Sequence, residues 1–332
     1  MFRYLKRICE LDYRQMIEKI KIIKKRSCLS YPFIIYDIFR CSRKFGSGYI
    51  DYCNFHFDEL DDGLKATYIT RMVNDYYCTL LNDPKYYDVV NDKTHFLAKY
   101  HAFAKRDFID LRTATQADFE TFVSKHQVFM AKPVDQLCGK GIDKIDSSLK
   151  DLNTLYHELL DNKQYLLEEL IIQDPIMASL NDSSINTIRV VTILKNNEVY
   201  IPFIALRIGR KGVVVDNFNS GGLNALVNDK GEVYTCAVSK DEKEYLSRPD
   251  SNVAIKGFVI PYFDELIKEA KAIAKVTPQL GMCGWDFCIS KDKGVIAIEG
   301  NHLPGYDLYQ CYSHRLADKK GMKPLFDAII KK

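Results

Sequence analysis

Along the first 27 residues the apolar positions Leu5, Ile8, Cys9, Tyr13, Met16, Ile17, Ile20 and Ile23 recur at intervals of three and four. That is the period of one helical face, and it predicts an amphipathic helix. From 28 to 90 the pattern is irregular and aromatic-rich, helical in outline, with tyrosine clusters at 49–57 and 76–87. Beyond 90 the order sharpens. Thr94 is placed to cap a short helix through 101, and Thr115 another through 125, with Asp118 in the first turn where the helix dipole favours an acid. Residues 127–131 read as a strand ending at Lys132-Pro133. Ser147 or Ser148 then starts a helix whose Leu149, Leu152, Leu155, Tyr156, Leu159 and Leu160 share a face, and 165–172 reads as a second strand.

The next hundred residues alternate strands with tight polar turns. Segments 187–194 and 199–207 flank Lys195-Asn196-Asn197-Glu198, and 222–227 and 233–238 flank Asn228-Asp229-Lys230-Gly231. Segments 283–290 and 295–299 flank Lys291-Asp292-Lys293-Gly294. These turns predict three β-hairpins. An amphipathic helix is expected at 262–275 and a last one at 324–330. The fold class that follows is α+β, with antiparallel sheets built from hairpins.

Composition narrows the class. A chain of 332 residues, 47% hydrophobic and 27% charged, is globular and long enough for about two domains. It can bury a core without needing a metal or disulfide to hold it. Its ten cysteines contain no C-x-x-C pair and read as reduced thiols of a cytoplasmic protein. No secretory h-region and no run of eighteen apolar residues is visible. The net charge of +3 is uneven: residues 1–27 carry nine Lys or Arg against three acids, and the remainder is slightly acidic. The basic helix is either docked on the body by its apolar stripe or in peripheral contact with anionic lipid at the inner face of the membrane. Without further basic and aromatic interleaving, no nucleic-acid partner is expected.

Candidate chemistry gathers in the last hairpin. A turn at 291–294 sets Asp286 and Glu299 near one end, and strand alternation points Glu299 and Asn301 to the same face. Three hard oxygen donors then converge, too few for a closed cage and suited to Mg²⁺ completed by water and phosphates; the alternative is a solvated acidic hairpin end. A second group is basic: Lys132 ends a strand, and Gly139-Lys140-Gly141 follows as a flexible loop able to turn N–H groups toward an anion. Lys93 is a further cation. In Leu167-Glu168-Glu169-Leu170-Ile171, one acid faces inward if both sides of the strand are covered, and an adenine amino group or ribose hydroxyls would serve as its partner. An edge strand with both acids solvated is the other reading.

The order Lys93, Lys132, Gly139 to Gly141, Glu168 to Ile171, Asp286, Glu299, Asn301 resembles the ATP-grasp superfamily. Ser184-Ile-Asn-Thr-Ile-Arg189, Arg207-Ile-Gly209, Asp216-Asn-Phe-Asn-Ser-Gly-Gly222, Gly284-Trp-Asp-Phe287 and Gly48-Tyr-Ile-Asp-Tyr52 resemble its sugar-transfer-associated family, often encoded with capsule and surface-polysaccharide enzymes. The resemblance implies an ATP-grasp fold, two α+β lobes gripping ATP (91–175 and 176–332) after a mainly helical region (1–90). It implies that Lys93 and Lys132 contact the α- and β-phosphates and that Gly139, Lys140 and Gly141 close over the γ-phosphate. Glu168, Glu169, Leu170 and Ile171 would form the adenine and ribose hinge, with Gln173 nearby, and Asp286, Glu299 and Asn301 would hold two Mg²⁺, or Mn²⁺ in their place. The D-alanine ligase type carries an arginine two residues before its metal aspartate, where this chain has Gly284. Arg189 and Arg207 are the candidates for that cation, unless they pair with carboxylates on the sheet surface.

The implied reaction is an ATP-dependent joining of a carboxylate to an amine through an acyl phosphate, on small molecules that include sugar-linked ones such as a uronate. Asn217, Asn219, Gly221, Gly222 and His302 are the expected substrate contacts. A kinase acting on a sugar or lipid-linked hydroxyl, and a non-catalytic nucleotide-binding adaptor of a glycosyltransferase, stand as alternatives.

Overall fold

The computed structural model describes residues 12–134, 141–209, 221–249 and 251–332. The chain divides into two compact units, one of residues 1–80 with 305–332 and one of 81–304. The boundary expected near 90 therefore falls after Leu80, and 305–332, expected to extend the C-terminal lobe, belongs with the N-terminal helices.

The first unit is helical, as its aromatic irregularity suggested. Helix α1 (Tyr13–Arg26) starts where Asp12 accepts from the N–H groups of Arg14 and Gln15, and it buries Ile20 and Ile23. Helix α2 (Tyr31–Phe45) is capped by Ser30, has Pro32 in its first turn and ends at Gly46, whose φ of +67° requires glycine's freedom. Ile34, Ile38, Tyr52, Phe55, Phe57 and Tyr68 form the core. The C-terminal segment completes this unit. Tyr306 Oη donates to buried Asp51 at 2.7 Å, and the Gln310 amide pairs with both backbone groups of Ile69.

The second unit holds two antiparallel sheets. The smaller contains β1 (Phe108–Asp110), β2 (Val128–Lys132), β3 (Asp143–Asp146) and β4 (Leu166–Glu169), in the order β1-β4-β2-β3. The larger contains β5 (Thr187–Lys195), β6 (Glu198–Ile208), β7 (Leu223–Val227), β8 (Ala237–Val238), β9 (Glu244–Tyr245), β10 (Met282–Ser290) and β11 (Gly294–Asn301), in the order β11-β10-β5-β6-β7-β8-β9. The first predicted hairpin turns through Asn196 and Asn197, both left-handed at φ +50° and +63°, the conformation a two-residue hairpin turn needs. The last turns at Gly294, φ +64°. The middle one forms only in part. Val233 exchanges backbone hydrogen bonds with Gly257 and Phe258, and this competing loop draws the returning arm away until Ala237.

Two helix starts differ from expectation. Asp92, not Thr94, caps the helix Lys93–Lys99, accepting from Thr94 N at 2.7 Å and His95 N at 3.2 Å. Asp151, not Ser147 or Ser148, caps Leu152–Asp161, and Leu149 lies outside it in a short 3₁₀ turn, 80% exposed. Thr115 caps Gln116–Lys125 with a reciprocal bond to Asp118, as read from the sequence.

One face of the large sheet packs Ile188, Val190, Leu206, Ala225, Trp285 and Phe287 against Leu266, Ala270 and Ile273 of the helix Phe263–Ile273. Strand alternation sends Arg189, Arg207, Asn224, Asp286, Glu299 and Asn301 to the other face.

Candidate functional site

Asp286 and Glu299 are directly paired across β10 and β11, and Asn301 stands opposite Gly284 one step along the same face. Gly300, between the two β11 side chains, backs onto Trp285, so the strand's other face is committed to the core. Asp286 is 2% exposed and lies under two guanidinium groups. Arg189, its register partner on β5, donates from Nε to Oδ1 and from Nη2 to Oδ2 at 2.8 Å. Arg207 adds Nη1 to Oδ2 at 2.7 Å. Burial alone would raise the Asp286 pKa, but the two arginines outweigh it and hold the carboxyl well below the usual range.

Glu299 behaves oppositely. Solvent reaches its side chain, yet the surrounding protein desolvates the carboxyl, and the negative charge of Asp286 adds to this, so that its pKa rises to about 7. One acid of the pair is fixed as an anion and the other is poised to exchange a proton for a cation. Asn301 Oδ1 accepts from Leu303 N at 2.9 Å, which leaves one of its two lone pairs. The donor set is thus two carboxylates and a carbonyl oxygen, all hard, and it fits Mg²⁺.

The arginines do not point freely into solvent; they pair with the aspartate of the set itself. Gly284 explains why. A Cβ at this position would lie 3.2 Å from Arg189 Cδ and 3.3 Å from its Nη1, so the Arg189 side chain crosses the space above the glycine. A guanidinium from the neighbouring strand β5 thus occupies the space over Gly284.

A second cluster joins the sheets. Glu168 of β4 is buried, but its carboxylate is held by protein cations and not left for a nucleotide: Lys132 Nζ donates to Oε1 at 2.8 Å, and Arg106 Nε to Oε2 at 2.5 Å. Burial pushes its pKa up, and Arg106 and Lys132 more than reverse this. Arg106 also donates to the carbonyl oxygens of Ala297 at 2.6 Å and Ile298 at 3.0 Å on β11. One guanidinium therefore ties the small sheet to the strand that carries Glu299. Lys93 Nζ donates to the carbonyl oxygen of Pro133 at 3.4 Å, one residue beyond Lys132, whose own ammonium is on Glu168.

Glu169 faces the other way, bonded to Lys293 Nζ at 2.5 Å and to the N–H of Asp107 at 3.0 Å. With Asp107 and His126 it forms a group of possible metal ligands, which Lys293 already neutralises in part. Leu170 and Ile171 follow directly on β4, past the last register pair Phe129–Glu169. The Gln173 side chain is used within the protein: its Nε2 donates to the carbonyls of Asn181 and Ser184, and its Oε1 accepts from Asn186. His302 stacks on Tyr87 at 3.9 Å, and burial lowers its pKa, leaving a neutral imidazole whose buried Nδ1 has no partner. Gly221 is left-handed at φ +92°, Gly222 leads into β7, and Gly141 accepts at its carbonyl from Gln164. Gly139, Lys140, Asn217 and Asn219 lie outside the described residues. Sequence reasoning missed Arg106, and also Asn82, whose amide binds both backbone groups of Met282 and the carbonyl of His302, fixing the start of β10.

Two lysines near β4 and an acid pair with arginines on an antiparallel sheet are arranged in the order expected of the ATP-grasp fold. The sequence profile of the sugar-transfer associated ATP-grasp family matches residues 72–329, and the chain belongs to that family. A search of curated proteins returns no match. Among solved structures the chain is similar to the ATP-grasp ligase PsnB in complex with a minimal precursor, with 15% identity and a TM-score of 0.44, over 76% of this chain and 62% of that one. It is also similar to the L-amino acid ligase from Bacillus licheniformis, with 13% identity and a TM-score of 0.44, over 74% and 48%. For the D-alanine-D-alanine ligase from Coxiella burnetii the values are 11% and 0.41, over 73% and 57%. This chain thus spans less than two thirds of each of these relatives.

Proposed function

We propose that the protein is an ATP-dependent carboxylate–amine ligase acting on a sugar-linked or other small precursor of a surface polysaccharide. The carrying observation is the opposed pair Asp286 and Glu299, one anion pinned by two arginines and one carboxyl near neutral pKa. Asp286, Glu299 and Asn301 would hold Mg²⁺. When bound, the metal supplies charge neutralisation at the phosphate oxygens.

The chain's own groups do the rest. Lys93 and Lys132 hold the nucleotide phosphates, with Gly139, Lys140 and Gly141 over the terminal one. The main chain at Leu170 and Ile171 receives the adenine edge, since the carboxylates of Glu168 and Glu169 are engaged by protein cations. Arg189 and Arg207 orient Asp286 and place positive charge beside the transferring group. A substrate carboxylate oxygen attacks the γ-phosphorus and ADP leaves. The amine then attacks the acyl carbon, phosphate departs, and the amine proton passes to solvent. Gly221, Gly222, Asn217, Asn219 and His302 are proposed to contact the substrates, His302 as a neutral acceptor.

The test is ADP release with Mg²⁺ over a panel of amino acids, uronates and amino sugars. Release that requires both a carboxylate and an amine is the expected result. Release with a hydroxyl acceptor alone assigns a kinase, and nucleotide binding with no turnover across the panel assigns an adaptor.

A further inference from the structure

The junction of α1 and α2 carries a surface that the ligase reading does not use. Between Glu18 and Asp37 there is no acidic residue, while Lys19, Lys21, Lys24, Lys25 and Arg26 all fall in that stretch. Immediately after them, the first two turns of α2 turn Ile34, Asp37 and Ile38 inward and leave Tyr31, Pro32, Phe33, Ile35 and Tyr36 exposed, Tyr36 by 62%. On α1 the exposed face carries Arg14, Ile17, Glu18, Lys21, Ile22 and Lys25, cations and apolar side chains around a single acid. A solvent face rich in aromatic and branched apolar side chains, on which Glu18 is the one acid of α1 among its cations, is unlike an ordinary hydrated helix surface.

We propose that this junction docks on an anionic lipid bilayer. Tyrosine and phenylalanine rings suit the headgroup boundary, where an apolar body is buried and a hydroxyl stays wet. Flanking lysines extend their stems over the apolar surface and meet negative headgroups, each adding to the attraction. Net charge selects this occupant over a second copy of the chain. Arg26 is held by Asp58 and Lys19 by Asn54, so a two-fold interface would set Lys21, Lys24 and Lys25 against their own copies, with Glu18 the one acid of α1 to answer them. The basic helix Tyr13–Arg26 is thus half of the surface, and the aromatic turn beyond it is the other half.

The test uses the full chain and sedimentation with vesicles of phosphatidylcholine alone or with about 30% phosphatidylserine, at about 0.1 M salt, where surface charges act over roughly 10 Å. Expected is pelleting with the anionic vesicles only, reversed by raised salt. Tyr31→Ser/Phe33→Ser/Tyr36→Ser and Lys21→Glu/Lys25→Glu should each cut the bound fraction about tenfold or more with unchanged melting temperature. Equal behaviour on neutral and anionic vesicles, or parental binding by both variants, overturns the proposal. So does a dimer, seen by light scattering, that the aromatic variant dissolves. ADP release in solution is independent of these outcomes, so loss of one reading leaves the other standing.

Discussion

Glu299 and Asp286 sit opposite each other on a hairpin and yet titrate in opposite directions, because both arginines reach Asp286. The Glu299 pKa lies above its ordinary value of 4.5. Its favourable contribution to stability is therefore fully present below pH 4.5 and is lost as pH rises through about 7. Glu299→Gln should fold as well as the parent and, in metal-free protein at pH 8, melt at the same temperature or slightly higher. The gain is at most about 1 kcal/mol, since solvent screens the exposed carboxyl. The same variant should lose ADP release and the stabilisation that Mg²⁺ gives the parent. In the parent, Mg²⁺ affinity measured by calorimetry should increase from pH 6 to pH 8 as the metal stops competing with a proton. A flat profile removes Glu299 from the metal set.

At the scale of elements, Arg106 joins the β4 carboxylate to two carbonyls of β11. Arg106→Met leaves Glu168 buried with Lys132 alone and should cost about 3–5 kcal/mol in urea denaturation. A cost under about 1 kcal/mol would show that the two sheets do not depend on that joint. The contrast with the hairpins shows what the sequence could tell. The turns Asn196-Asn197 and Lys293-Gly294 are local chemistry, so the Asp286–Glu299 register was readable from a few adjacent residues. The helix starts were less so, because Asp92 and Thr94, or Asp151 and Ser148, are all competent caps and packing chooses between them. Partners of Glu168 were out of reach: the acid's burial could be inferred, but Arg106 finds it 62 positions away and β11 nearly two hundred. The missing arginine was legible as a gap at Gly284, and the β5–β10 pairing is what brings the Arg189 side chain over that glycine.

At the scale of the whole chain, the helical unit is made from both ends of the sequence. Tyr306 satisfies one of three hydrogen bonds to Asp51, a buried carboxyl whose pKa burial raises to about 6. Tyr306→Phe should destabilise this unit by about 1–3 kcal/mol, seen as an earlier first transition in calorimetry. A single unshifted transition would mean that Asp51 is content with its two backbone donors.

The split of this unit has a consequence for synthesis. At about 5–20 residues per second, translating the stretch from 81 to 304 takes roughly 10–45 s. Through that interval the nascent helices expose the surfaces of Tyr52, Phe55 and Tyr68 that Tyr306 and the Gln310 segment later complete. The unit of residues 81–304 can mature on the ribosome while the helices before it wait for 305–332, and holdase chaperones have their natural client in that window.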